Sequence, residues 1–375
     1  MKTVYCLLTF ITIHIQVFSQ LNNQAFEWPI SVDSSQTGRI RFQLGYLGYL
    51  KNNEYFDGIA DGYTLFGQQL QPKVTYQPSP NLLIEAGLFM RQDFGESTFA
   101  ETEPIFTLKY QKKHFRLVFG TLEGNLQHRL IEPLYDFERV IDDRIEQGIQ
   151  FLYKSERFKA DVWTNWRRTI QRNRNEQEEI EGAWYFHYLM NPKSRFQSKL
   201  ILQSSLLHRG EQSSQSNLPI YTTQNHALGF QTRLVNANAR FLKGLSMEHY
   251  ALLFTVDSDS LTFSQGAGLY LNGTLHTKWG DWMTSYWRGN DFINLLGGDL
   301  YSSEARMGGT IEPQRNLLIF RWLKDFELIP RCYLTARAEP YYDLDNDLLE
   351  YSFGVYINYL LDVPINRQKR ILPQF

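Results

Sequence analysis

Hydrophobic and polar residues alternate along most of this chain with a period of two. The stretch 144–167 states the rule. Ile145, Gln147, Ile149, Phe151 and Tyr153 interleave with Arg144, Glu146, Gly148, Gln150 and Leu152. After a four-residue turn, Phe158, Ala160, Val162, Thr164 and Trp166 interleave with Lys159, Asp161, Trp163, Asn165 and Arg167. A period of two is the signature of a strand with one apolar and one polar face, not of a helix. Each run has about the ten residues a tilted strand needs to cross a bilayer. A soluble sandwich could hold one such hairpin, so the weight falls on repetition.

The pattern does repeat. Runs at 39–47, 63–76, 81–92, 103–110 and 115–121 precede the hairpin, and runs at 180–190, 196–207, 226–234, 247–255, 261–271, 274–287, 304–311, 316–323, 331–339 and 347–360 follow it. Asn272-Gly273 carries the residue pair of a type I′ hairpin turn and predicts a reversal there. The connections alternate long and short through most of the chain, slipping near the C-terminus. Such asymmetry marks a transmembrane barrel and has no reason to arise in a propeller or sandwich. About seventeen runs, and the even strand number of single-chain bacterial barrels, predict an all-β, antiparallel barrel of about 16 to 18 strands.

The N-terminus sets the compartment. Met1-Lys2 is a short positive start, 4–18 is mostly apolar, and Val17-Phe18-Ser19 precedes Gln20 as a cleavage site. Residues 1–19 are thus expected to be a signal peptide and 20–375 the barrel. Only Cys332 would remain after processing, so no intramolecular disulfide is expected. No mature segment offers the run of apolar residues a membrane helix needs, and a membrane-embedded form must then be a closed barrel. The 26 Phe, 22 Tyr and 8 Trp supply material for aromatic girdles. A net charge of -2 argues against nucleic acid as a partner.

The signal peptide, the alternating strands, the terminal Phe375, and the runs VFGTLEG (118–124) and RLIEPLYD (129–136) resemble Bacteroidota outer-membrane porin-like proteins. The similarity to phosphate-selective and alginate-type porins is looser. The resemblance implies an outer-membrane location, contact with membrane lipid, insertion by the barrel-assembly machinery, possible homo-oligomers, and passive diffusion of small polar or anionic solutes. In porins one long loop folds into the lumen and sets a constriction, and 122–143 is the candidate by position and length; the usual behaviour of long loops favours the other reading, an exterior loop carrying a solvated mixture of charges. Pore-lining or constriction candidates are Arg39, Arg41, Arg116, Glu123, Arg129, Glu132, Asp136, Arg139, Glu146, Lys159, Lys199 and Arg337. Opposed charges there would filter solutes, and an excess of cations would favour anions. Interspersed signs equally predict cross-strand ion pairs that stiffen the wall.

Linear catalytic motifs are absent: no Gly-x-Ser-x-Gly, no His-Glu-x-x-His, no phosphate-binding glycine loop. The 8 histidines lack ligand spacing, and Asp343, Asp345 and Asp347 lack the glycine and glutamate of a calcium loop. The chain is therefore expected to be no enzyme and to need no cofactor. Outer-membrane phospholipases, which work through a Ser and a His on the outer wall, and glycosidases, which need only two carboxylates, keep other classes open. The alternatives to a channel are a secreted all-β envelope protein, such as a carbohydrate-active one, and a non-conducting structural barrel.

Overall fold

The computed structural model describes residues 23–28, 31–169, 177–210, 218–236, 239–258, 260–306 and 308–365. Sixteen antiparallel strands close into one barrel. They are β1 (Ile40–Glu54), β2 (Tyr63–Ser79), β3 (Leu82–Asp93), β4 (Glu101–Lys112), β5 (Phe115–Thr121), β6 (Gln147–Lys154), β7 (Phe158–Arg168), β8 (Glu179–Leu189), β9 (Phe196–Arg209), β10 (Tyr221–Val235), β11 (Leu242–Val256), β12 (Gln265–Thr277), β13 (Gly280–Asn290), β14 (Gln314–Ile329), β15 (Cys332–Asp343) and β16 (Leu348–Pro364). Every strand pairs with its sequence neighbours, and β1 against β16, from Arg41↔Pro364 to Glu54↔Tyr351, completes the ring. Closure leaves no unpaired edge, the condition lipid imposes on a sheet.

The outward positions are the apolar ones. Phe119, Ile149, Leu253, Trp282 and Phe353 are each between 42% and 59% exposed, while Gln150, Asp161, Glu181 and Gln203 between such residues are fully buried. An exposed apolar surface of this extent is stable only in lipid. The protein is an outer-membrane β-barrel, with short turns at one end and longer connections at the other. By the habit of such barrels the short turns face the periplasm.

Three expectations need correction. The run 304–311 is not a strand: it contributes a single bridge, Glu304↔Ile311, inside the long connection 291–313. Removing it brings the count to sixteen and restores the long-short alternation to the C-terminus. Asn272-Gly273 does not turn. It lies within β12, where Asn272 is buried on the inward face in unbroken alternation, and the reversal comes at 278–279. Gly280 serves that turn with φ +122, and a Cβ there would meet the Leu323 carbonyl oxygen at 2.4 Å. The last strand reaches Pro364 rather than 360. The expected signal peptide and the terminal Phe375 lie outside the described residues.

The middle of the lumen is filled. The connection 122–146 folds inward, with Leu130, Ile131, Leu134 and Tyr135 packed against Trp163, Tyr185, Ile201 and Tyr250 of the wall and Phe292, Ile293, Leu296 and Tyr301 of the second inward connection, 291–313. Wall amides pin both: Gln203 Nε2 donates to the Arg129 carbonyl at 3.1 Å while its Oε1 accepts the Ile131 N–H at 2.9 Å, and Asn225 Nδ2 donates to the Ile293 carbonyl at 2.8 Å. Phe137, Val140 and Ile141 pack with Phe26, Tyr49 and Tyr356, so residues before β1 also sit inside the barrel.

Candidate active site

Near the short-turn end of the lumen, three neighbouring strands bring a serine, a histidine and an aspartate together. Alternation turns Gly244, Ser246, Glu248 and Tyr250 of β11 inward. On β12 the inward set is Tyr270, Asn272, Thr274 and then His276, and the turn at 278–279 returns Asp281 of β13 directly opposite His276. The Ser246 hydroxyl donates to His276 Nε2 at 3.0 Å, and His276 Nδ1–H donates to Asp281 Oδ1 at 3.0 Å. Asp281 thereby fixes the tautomer that leaves Nε2 free to accept the hydroxyl proton. A serine on one ring nitrogen and a carboxylate on the other is the arrangement of nucleophilic acyl transfer, recognised by geometry rather than by sequence order.

Two features extend the site. Arg233 of β10 lies across from Ser246 in register, and its Nε and Nη1 are buried without a hydrogen-bond partner. Met283 and Leu323, register neighbours of Thr274 and Asp281, form a small buried apolar contact beside them. Glu248, one step along the same face, is already engaged: Gln231 Nε2 donates to it at 2.8 Å and the Tyr250 hydroxyl at 2.9 Å.

A second serine and histidine meet on the outer wall. Ser204 of β9 sits in one cross-strand row with Trp184 of β8 and His226 of β10, and its hydroxyl shares a hydrogen bond with His226 Nδ1 at 2.9 Å. The row faces lipid and lies nearer the long connections. Among the described residues no carboxylate reaches His226.

A third histidine is locked in the packed centre. His128 is fully buried, its Nε2 2.8 Å from Glu146 and its Nδ1 3.1 Å from Asp161, with its ring stacked on Trp163 at 3.5 Å. The Tyr135 hydroxyl donates to Glu146 at 2.6 Å. Burial alone would lower the His128 pKa, but the two carboxylates outweigh it and raise it to about 9. Burial would raise Glu146, and the imidazolium beside it instead holds its carboxyl well below the usual range.

The twelve constriction candidates all lie at or inside the inner wall, and most are tied in ion pairs or hydrogen bonds. Arg116 binds Glu123 at 2.7 Å, Arg129 binds Glu27 at 2.5 Å, Arg139 binds Glu181 at 2.9 Å, and Arg41 binds Asp362 at 2.7 Å. Glu132 holds both Arg321 and Arg337, the latter at 2.9 Å, and Asp136 accepts the Glu138 N–H at 3.1 Å. Glu146 is bound to His128, Lys199 is buried on β9, Lys159 lies 5.6 Å over the Tyr185 ring, and Arg39 lines a cavity at the short-turn end. Most of these charges are paired, chiefly between the connection 122–146 and the barrel wall. None of the twelve belongs to the Ser246 site.

Among solved structures, a loop-deletion mutant of OmpT, an outer membrane protein of Vibrio cholerae, matches with 11% identity over 87% of this chain and 100% of that one, at a TM-score of 0.50. The outer membrane protein OprD from Pseudomonas aeruginosa matches with 9% identity over 89% and 97%, at 0.51. Identities this low carry the barrel fold alone, so the porin-like resemblance is structural. No curated protein matches the chain. A family model described as Lipid A 3'-O-deacylase-type matches residues 32–368. An enzyme family spanning the barrel overturns the expectation of a non-enzyme, which rested on missing linear motifs; a triad gathered from three strands leaves no such motif. The chain belongs to the lipid A 3'-O-deacylase-type family.

Proposed function

We propose that this barrel is an outer-membrane serine hydrolase that releases an ester-linked acyl chain from a glycolipid of the lipid A kind. The reaction class comes from the family description. The observation that carries the assignment of residues is His276 held at 3.0 Å from both Ser246 and Asp281. Ser246 Oγ attacks the ester carbonyl while His276 Nε2 takes its proton, and Asp281 orients and stabilises the imidazolium. The unengaged N–H groups of Arg233 lie on the neighbouring strand to receive the developing oxyanion. Collapse of the tetrahedral intermediate expels the alkoxide, which His276 protonates, leaving the acyl chain on Ser246. Water, deprotonated by His276, then releases the fatty acid and restores the hydroxyl.

Passive diffusion of small polar or anionic solutes fits the barrel less well, because the inward connections 122–146 and 291–313 pack against the wall at its centre. As an outer-membrane barrel the chain would be a client of the barrel-assembly machinery. One observation favours a second reading of the catalytic site: the Ser204–His226 pair faces lipid in the long-loop half, the depth of outer-leaflet acyl chains. It lacks both an orienting carboxylate and a hydrated setting, and a hydrolysis needs water.

The test is acyl-ester hydrolysis by the refolded barrel in detergent, followed with p-nitrophenyl butyrate and by mass spectrometry of lipid A. Ser246→Ala is expected to abolish both activities and Ser204→Ala to leave them. Loss on Ser204→Ala alone would move the site to the outer wall; no hydrolysis by wild-type barrel of either substrate would overturn the reading.

A further inference from the structure

A cavity of about 580 Å³ opens inside the barrel at the short-turn end, between the residues before β1 and the walls of β1, β2, β15 and β16. Its volume falls within the range of small-molecule sites. Two deeply buried side chains on its lining hold unmet hydrogen-bonding capacity. Gln43 is 3% exposed and its Oε1 has no partner; Asn358 is 2% exposed and its Nδ2 has none. The Asn358 amide is oriented by Trp28, whose indole N–H donates to Oδ1 at 2.6 Å, so the carbonyl is engaged and the amino group remains. Trp28 is itself fixed, with the Arg144 guanidinium 3.8 Å from its ring centroid and Gly45 beneath it, where a Cβ would lie 2.6 Å from the ring. An unmet acceptor and an unmet donor thus share one rigid chamber, with the phenol of Tyr333 on the same lining.

The charges say what kind of ligand fits. Arg39, Arg41 and Arg331 on the lining are matched by Glu27, Asp33 and Asp362, and Asp362 already binds Arg41 at 2.7 Å and Arg331 at 3.4 Å. A chamber balanced in this way has no surplus field for a phosphate. A hydroxyl donates and accepts at once, so a polyhydroxyl ligand complements a lone carbonyl oxygen and a lone amino group together. Leaving such groups unpaired is costly, which is what makes their pairing a source of affinity and specificity.

We propose that this chamber is a binding site for a neutral saccharide of about two sugar rings. It stands apart from the hydrolytic reading, since binding is read without turnover. The experiment is isothermal titration of the full refolded barrel with maltose, cellobiose and N,N′-diacetylchitobiose, with inorganic phosphate as the charged comparison. At least one disaccharide is expected to bind saturably while phosphate does not. Gln43→Leu and Asn358→Leu should each weaken that binding by about five- to tenfold, the worth of one neutral hydrogen bond. Ser246→Ala should bind as the wild type does, which separates this result from the fate of the triad. Should Asn358→Leu fail to fold because Trp28 loses its acceptor, Gln43→Leu alone decides. Absence of saturable binding by all three sugars, tighter binding of phosphate, or unchanged affinity in a folded Gln43→Leu barrel would overturn the proposal.

Discussion

Two histidines inside this barrel sit between two side chains each, and they are built for opposite ends. His276 has a serine on Nε2 and an aspartate on Nδ1, so one nitrogen is left to accept a proton. His128 has carboxylates on both nitrogens and a tryptophan against its face, a setting that keeps the ring charged to about pH 9. The first keeps one nitrogen for the serine hydroxyl; the second is a fixed cation that ties the inward connection to β7. What occupies the second nitrogen, rather than burial alone, separates a candidate base from a structural charge.

The largest effect is expected at the aspartate. Asp281→Asn keeps the shape of the triad but loses the charge that sets the His276 tautomer, and should lower kcat for ester hydrolysis by about 10²- to 10⁴-fold with the midpoint of unfolding in urea little changed. A fall in stability without a fall in kcat would make Asp281 a structural partner only. At the other histidine the pattern should invert. His128→Ala leaves Glu146 and Asp161 buried without their shared cation, which should cost about 3–5 kcal/mol of stability, while kcat of the folded fraction stays within a few-fold of wild type. Retention of the wild-type urea midpoint would show that the inward connection is held otherwise.

A gentler probe sharpens the same contrast through pH. Folded His128 keeps its proton to about pH 9, whereas an unfolded histidine releases it near 6.5. Its contribution is complete below pH 6.5 and is lost as pH rises through 9. Glu146, held low, contributes above pH 4.5 and loses that contribution as pH falls through its depressed folded value. The urea midpoint of the wild type should therefore decline between pH 6.5 and 9, and His128→Ala should flatten that decline. The smallest effect is expected outside the barrel: Ser204→Ala removes one hydroxyl from a lipid-facing row and should leave hydrolysis within about twofold of wild type, since the pair has no carboxylate to orient it.

Much of the architecture was legible because lipid enforces a strict period of two. The alternation at 144–167 places Phe151 and Val162 outward and Gln150 and Asp161 inward, as found. The proposed triad was not legible, and one misplaced turn explains why. Reading the reversal at Asn272-Gly273 pairs His276 with a residue on the wrong side of the hairpin. With the turn at 278–279, His276 and Asp281 become register partners, and a histidine facing an aspartate across a two-residue turn is visible in the sequence. Local turn propensity lost to the demand that β12 run its full length against β11. Ser246 could not be tied to them without knowing that β11 is the next strand and that its register places Ser246 beside Thr274. The inward fold of 122–146 was hinted at by its length and by Leu130, Ile131 and Leu134 among charges, yet whether such a connection enters the lumen depends on partners such as Gln203 and Phe292 far along the chain.

Covalent labelling of the refolded wild-type barrel with a fluorophosphonate, followed by peptide mass spectrometry, decides whether Ser246 is the nucleophile. A single adduct on Ser246, absent from Asp281→Asn or His276→Ala barrels that remain heat-modifiable on a gel, is the predicted result. An adduct on Ser204, or none on any serine while the barrel hydrolyses its ester, would contradict the account.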